Sequence, residues 1–146
     1  MRKRNVTFST FGFCVLFVVT NVAAQEKHSF KCTFGPGSQA NWDAGKLNIE
    51  RVNFGTPSVT LHFDSVDVKA GTARMIGNAG SSNLAVLDSG TAITLVEQTG
   101  ALNFSFTTIF LRKTKGSSDL PAVMSRHIDT PPGPVPSQYY GSCVRW

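Results

Sequence analysis

The chain has 146 residues, of which 16% are charged, and its excess of basic over acidic side chains gives a formal net charge of +5. A chain of this length can bury one hydrophobic core. Three of the basic residues, Arg2, Lys3 and Arg4, lie near the start of the chain. Without them the chain has eleven basic and nine acidic side chains, which gives a net charge of +2. A net charge this small argues against a protein that binds nucleic acid through a basic surface, and we expect no nucleic-acid partner.

The first 24 residues have the layout of a secretory signal peptide. The three basic residues precede an apolar stretch, Val6–Thr20, and small residues precede a cleavage point before Gln25. The apolar stretch is shorter than the ~20 residues of a transmembrane helix. We therefore expect residues 1–24 to be removed with no stable membrane anchor left behind. Residues 25–146 should then form a single periplasmic or secreted β-domain.

Short segments of the domain alternate apolar and polar side chains, as in Phe30–Phe34 and Val59–Phe63. This period of two is typical of antiparallel strands that have one buried face. Turn residues such as glycine, proline, asparagine and serine separate the segments. The predicted strands span residues 28–34, 46–53, 58–66, 71–77, 83–88, 91–98, 101–112 and 120–127, with a last strand near 138–145.

This succession of short strands predicts an all-β fold, an antiparallel up-and-down meander of eight or nine strands. We expect the meander to close as a small barrel, with a β-sandwich as the alternative. Gly35–Ser38 is predicted to be a turn that ends the first strand. Because proline has no backbone N–H, Thr130–Pro136 is predicted to be an extended connector and not part of a ladder.

Two cysteines remain after removal of the signal peptide, Cys32 and Cys143, near opposite ends of the domain. An even number of cysteines in an exported protein indicates a disulfide. Such a bond would join the last strand to the first, as a closing barrel requires. The three histidines are isolated in the sequence, with no Cys-x-x-Cys or His-x-His spacing. We therefore expect no metal and no other cofactor.

One motif suggests catalysis. The segment Val86–Thr91, with the sequence Val-Leu-Asp-Ser-Gly-Thr, resembles the active-site turn of aspartic proteases, in which two aspartates share a proton and activate water. No second Asp-Ser/Thr-Gly occurs in the chain, so the resemblance implies a homodimer with Asp88 from each copy. Asp, Ser and Gly also favour hairpin turns. We interpret Asp88 as a hairpin corner and the protease likeness as coincidental, with the homodimeric hydrolase as the alternative function.

His62 and Asp64 would share the polar face of one predicted strand, and Asp67 follows closely. Such a group either forms a metal or acid–base site or consists of solvated strand residues. We favour the solvated interpretation.

Six phenylalanines are candidates either to line a ligand cavity or to fill the core. They are Phe30, Phe34, Phe63, Phe104, Phe106 and Phe110. The sequence thus favours a non-enzymatic binding or interaction module that uses a barrel mouth or an exposed face. The expected partner is a small apolar ligand, an envelope component or another protein.

Both ends of the domain carry a short motif. Phe30–Phe34 reads Phe-x-Cys-x-Phe and Tyr139–Cys143 reads Tyr-x-Gly-x-Cys. Together they resemble a loose set of small exported bacterial proteins of uncharacterised function. The resemblance implies export and compactness, and it implies no particular activity.

Overall fold

The structure is a computed structural model that describes residues 27–55, 58–77, 80–100, 103–131 and 133–146. The predicted signal peptide, residues 1–24, and its cleavage point lie outside the described residues. No helix within the described ranges is long and apolar enough to cross a membrane. The strands are β1 (His28–Asp43), β2 (Lys46–Asn53), β3 (Val59–Asp67), β4 (Thr72–Gly77), β5 (Gly80–Asp88), β6 (Ala92–Gln98), β7 (Phe104–Phe110), β8 (Leu120–His127), β9 (Asp129–Thr130), β10 (Gly133–Pro134) and β11 (Ser137–Arg145).

Eight strands form a closed antiparallel barrel. Around the barrel the order is β1-β3-β4-β5-β6-β7-β8-β11, and β11 pairs again with β1 to close the ring. Successive strands are neighbours because short turns connect them, as the up-and-down prediction requires. The predicted all-β barrel is therefore confirmed, and the sandwich is not the observed architecture. The ninth strand of the sheet, β2, pairs with β1.

The disulfide joins the first and last strands of the barrel. Cys32 lies directly opposite Cys143 in the β1–β11 ladder, and their Cα atoms are 4.0 Å apart. Both side chains are buried, and 111 residues separate them in sequence. The predicted bond is confirmed, and it fastens the seam at which the barrel closes.

Alternate side chains of each strand point into the barrel and form one core, because a strand directs successive side chains to opposite faces. The largest fully buried residues are Phe30, Phe34, Phe63, Leu95, Ile109, Val66, Cys32 and Cys143. Burial of such apolar surface is the main favourable contribution to folding.

The predicted turn at Gly35–Ser38 is wrong, because β1 continues through it to Asp43. The ladder to β11 shifts register between Phe34 and Gly37, so a β-bulge accommodates the Gly-Pro pair. A bulge leaves backbone groups out of the ladder and bends the strand, and it therefore tolerates glycine and proline within a continuous strand.

The second half of β1 and β2 form a hairpin that extends past the barrel. Its two turn residues, Ala44 and Gly45, have φ angles of 48° and 77°, which is the backbone sense of a type I′ turn. The β1–β11 ladder ends at Gln39, and the Ala40 N–H donates to the carbonyl oxygen of Pro136 (2.9 Å). Residues 41–48 therefore lie beyond the last pairing with the barrel wall; we call β1 residues 36–43 with β2 the projecting hairpin.

The proline-rich connector contains a short ladder, contrary to the prediction. β9 and β10 pair with Thr130 opposite Gly133 and Asp129 opposite Pro134. The Val135 N–H donates to the carbonyl oxygen of Ile128 at 2.7 Å. A two-residue ladder at an edge draws its donors from neighbouring residues, so Pro134 is accommodated without an N–H of its own.

Candidate functional site

The barrel interior is filled by side chains. Phe30, Phe34 and Phe63 are each at most 1% exposed, and they occupy the core. A small cavity lies between core side chains, with Leu61 and Met124 among its lining residues. Its volume is about 20 Å³. A cavity that holds a single water needs a volume of roughly 10–15 Å³, whereas ligand pockets usually have volumes of hundreds of cubic ångströms. These three phenylalanines therefore fill the core of the part of the chain that the structure describes.

The barrel end beside the projecting hairpin is covered by an aromatic group. The Phe54 ring packs against Tyr139 with centroids 4.8 Å apart, and the Arg126 guanidinium lies 5.6 Å from the Phe54 centroid. At the other end, Val68 and Leu111 pack against the core. Side chains therefore pack against the core at both ends of the barrel.

Phe104, Phe106 and Phe110 lie on the outer wall and not in the barrel interior. Phe104 is 39% exposed and Phe110 is 41% exposed. The inner face of β7 instead carries Thr107 and Ile109, both buried. Both faces of this strand carry apolar side chains, so hydrophobicity does not distinguish them, and the smaller side chains occupy the filled interior.

Asp88 is the corner of the β5–β6 hairpin. Its Oδ1 accepts the Gly90 N–H at 2.8 Å, and Gly90 has a φ of 77°, a backbone conformation that favours glycine. The Ser89 hydroxyl accepts the Ala92 N–H at 3.1 Å. The hairpin interpretation of the motif is therefore confirmed as local geometry. The Asp88 side chain is exposed and caps its own turn.

We expect Asp88→Asn to leave the fold intact, because the asparagine side-chain oxygen accepts the same Gly90 N–H. We also expect neither wild type nor variant to cleave an unfolded protein substrate between about pH 3 and pH 6, the range in which carboxylates titrate. The measurement pairs a proteolysis assay with thermal unfolding of both proteins. Cleavage by wild type that disappears in Asp88→Asn would establish the catalytic alternative.

His62, Asp64 and Asp67 of β3 do not form one site. Asp64 accepts hydrogen bonds from Arg74, with Nε at 2.9 Å from Oδ1, and these bonds hold the pKa of the Asp64 carboxyl below its ordinary value. The His62 ring contacts the Trp146 ring edge-on at 5.7 Å. Asp67 is buried and accepts the Ala70 N–H at 2.7 Å. Each of these three side chains therefore makes a contact within the fold.

The outer wall carries three adjoining hollows beside the projecting hairpin, which we call the outer groove. The central hollow measures about 300 Å³ and lies between Ile49 of the hairpin and His127 of β8. A larger hollow of about 620 Å³ shares Ser38 with it, and a third of about 270 Å³ shares His127 and Pro136. The central hollow is lined by Ser38, Gln39, Ala40, Ile49, Ser125, His127, Pro136, Ser137 and Gln138.

Exposed aromatic rings extend the groove at both ends. In the third hollow, Phe104 joins Ile128 and Pro134. Phe106 supports this end, since its ring lies 6.3 Å from that of Phe104 and 5.2 Å from that of His127. Tyr140 borders the largest hollow. The groove therefore alternates apolar surface with hydrogen-bonding side chains.

Comparisons with protein-family models, with curated proteins and with solved structures found no match for this chain. The chemistry of the outer groove is therefore derived from its own residues.

One face of the projecting hairpin is apolar and exposed. Trp42 lies opposite Leu47, and Ala40 lies opposite Ile49, so these four side chains share a face. Trp42, Leu47 and Ile49 are 50%, 53% and 70% exposed. This surface was not predicted from the sequence, because residues 39–43 follow a segment with the composition of a turn. The signal that could have identified it is the alternation of Ala40 with Trp42 and of Leu47 with Ile49 on either side of an Ala-Gly pair.

Proposed function

We propose that this protein is an exported, non-enzymatic interaction module that binds another polypeptide in the outer groove. The observation that carries this proposal is the contrast between the two sides of the barrel wall. The cavity beside Leu61 and Met124 in the core measures about 20 Å³, whereas the central hollow of the outer wall offers about 300 Å³ beside exposed Ile49.

The groove chemistry favours a polypeptide over a small apolar ligand or an envelope lipid. Small ligands bind in concave sites that bury most of their surface, and the hollows here are shallow and adjoin one another along the wall. Ala40, Ile49 and Pro136 provide apolar contact, while Ser38 and Gln138 provide hydrogen-bonding groups beside them. An extended segment presents apolar side chains and backbone amides together, and it matches both features.

The length of the groove supports the same class of partner. Its three hollows run from Tyr140, past Ile49 and His127, to Phe104. Aromatic residues at exposed positions are enriched in protein-binding surfaces because their rings provide a large contact area at low conformational cost. We therefore assign binding energy to Phe104, Tyr140 and Ile49.

Two observations support the exported location. Residues 1–24 have the layout of a signal peptide, and the Cys32–Cys143 disulfide is compatible with an oxidising compartment. The periplasm or the exterior of the cell is the proposed location, in keeping with the resemblance to small exported bacterial proteins.

The test is selection of a phage-displayed peptide library on the folded protein, followed by calorimetric titration of the selected peptides. We expect Ile49→Lys to weaken binding at least tenfold, because it replaces an apolar contact at the side of the groove with a charge. The matched control is Leu87→Lys, since Leu87 is 61% exposed on β5, away from the groove. It should bind as wild type does.

Thermal unfolding must show that both lysine variants keep wild-type stability, as expected for exposed positions. Equal binding by wild type and Ile49→Lys would contradict the proposal. Stoichiometric binding of a fatty acid that is unaffected by Ile49→Lys would instead place the ligand in the interior.

A further inference from the structure

The outer edge of β2 is open. Within the described ranges β2 pairs with β1, and no backbone hydrogen bond joins its other edge to another strand. Exposed edges are usually shortened, bulged, interrupted by proline or given charged side chains, because their free N–H and C=O groups can pair with another chain. β2 is eight residues long, with neither proline nor a bulge in its ladder to β1, and its charged side chains, Lys46, Glu50 and Arg51, are of both signs. Its edge is therefore able to accept a strand.

The turn geometry determines which backbone groups face that edge. In the two-residue turn, the Lys46 N–H is directed to the carbonyl of Asp43, so Lys46 points its backbone groups toward β1. Backbone direction alternates along a strand. The N–H and C=O groups of Leu47, Ile49 and Arg51 therefore point outward, where a second strand would bond to them.

We infer that two copies of this protein pair antiparallel through β2, with Asn48 on the two-fold axis. In this register Leu47 lies opposite Ile49 of the second copy, and both residues have outward backbone groups that exchange hydrogen bonds. Lys46 lies opposite Glu50 of the second copy, and the symmetry repeats this opposite-charge pair. Asn48 faces Asn48, where two amides are able to bond to each other.

Other symmetric registers lack this complementarity. With Ile49 on the axis, Leu47 lies opposite Arg51 and Asn48 lies opposite Glu50. With Glu50 on the axis, two carboxylates face each other, which is destabilising. The charged side chains of β2 therefore stabilise the register centred on Asn48 and disfavour the other two registers. Both effects are needed for a strand edge to pair in one register.

The resulting dimer has a continuous four-stranded sheet in which each hairpin supplies two strands. Leu47 and Ile49 of both copies lie side by side on one face, which covers part of their exposed surface. The contact consists of a few residues from each copy, and interfaces this small give weak, concentration-dependent association. The dimer covers part of Ile49, which also borders the outer groove, whereas Lys46 and Glu50 lie on the opposite face of the hairpin and outside the groove.

The charge pairs provide the decisive experiment. Lys46→Glu alone places glutamates opposite Glu50 at both symmetric positions, and Glu50→Lys alone places lysines opposite Lys46. We expect sedimentation velocity, between about 1 µM and 1 mM, to show wild-type dimerisation and about tenfold weaker self-association of each variant. An equimolar mixture of the two variants should recover wild-type association, because both charge pairs are restored in the mixed dimer.

Recovery in the mixture excludes damage to the hairpin as the cause, because a misfolded hairpin is not repaired by mixing. Native mass spectrometry, with one variant isotopically labelled, should show mixed dimers in excess of either homodimer. A wild type that is monomeric up to about 1 mM would overturn the inference. So would dimerisation that neither variant changes. Peptide binding in the outer groove is measured separately, at concentrations too low for dimerisation, and should there be the same in wild type and both variants, so failure of either proposal is recognised on its own.

A cysteine at the axis tests the register. Cα atoms of a non-hydrogen-bonded antiparallel pair are about 4.5 Å apart, which a disulfide can bridge. Asn48→Cys should therefore form a covalent dimer under mild oxidation on non-reducing gels. The control is Leu87→Cys, which is similarly exposed on β5. Equal cross-linking of both variants, or none at Asn48→Cys, would contradict the Asn48-centred dimer.

Discussion

Serine in place of Cys32 or Cys143 is expected to lower the free energy of unfolding by about 4–5 kcal/mol, because the disulfide constrains a very long loop in the unfolded chain. The bond spans 111 residues and fastens the β1–β11 seam. Each single variant should lose a similar amount. The double variant should lose little more, since both changes remove the same bond. Urea denaturation of the four proteins measures these differences.

Reduction of the wild type with dithiothreitol provides the control, because it removes the bond without changing the sequence. The reduced protein should have the same urea midpoint as the double variant, within the cost of burying two hydroxyl groups. Additive losses in the double variant would contradict this account. So would alkylation of both thiols in native, unreduced protein.

Gly141→Ala is expected to destabilise the protein by about 3 kcal/mol, because the seam leaves no space for a methyl group. A Cβ atom at Gly141 would overlap the Thr33 carbonyl oxygen and would lie 2.8 Å from the Phe34 ring. The first of these is backbone within the β1–β11 ladder, so relief requires movement of the strand itself. Urea denaturation is again the measurement.

Gly133→Ala is the matched control. A Cβ atom there would meet no heavy atom within 4 Å, and Gly133 has no positive φ. The change should therefore alter stability by less than about 0.5 kcal/mol. Equal losses at Gly141 and Gly133 would show that close packing at the seam is not the cause.

The barrel was predictable because its strands and turns are specified by residues that are close together in the sequence. Alternation and turn residues predict β2 and β8 at the bounds that the structure shows, Lys46–Asn53 and Leu120–His127. The continuation of β1 was not predictable, because Gly35 and Pro36 are typical turn residues. They lie in a bulge only because β11 and β2 pair with the strand on either side of it. Contacts distant in sequence determined the outcome there.

The candidate site was less predictable than the fold. Sequence hydrophobicity identifies Phe104 as apolar but does not reveal that β7 turns this side chain outward while Ile109 fills the core. Which face of a strand is buried depends on its neighbours around the barrel. The outer groove has the same difficulty, since it brings together Ile49, His127 and Pro136 from separate parts of the chain.

The seam between β1 and β11 has a consequence for the timing of folding. Ribosomes synthesise a chain from its N-terminus, so the partner of Phe30 in this ladder, Arg145, is made long after Phe30 itself. Until then β1 lacks one of its two neighbours in the ring, and contacts of such high sequence separation form slowly. The barrel therefore stays open until β11 has been made.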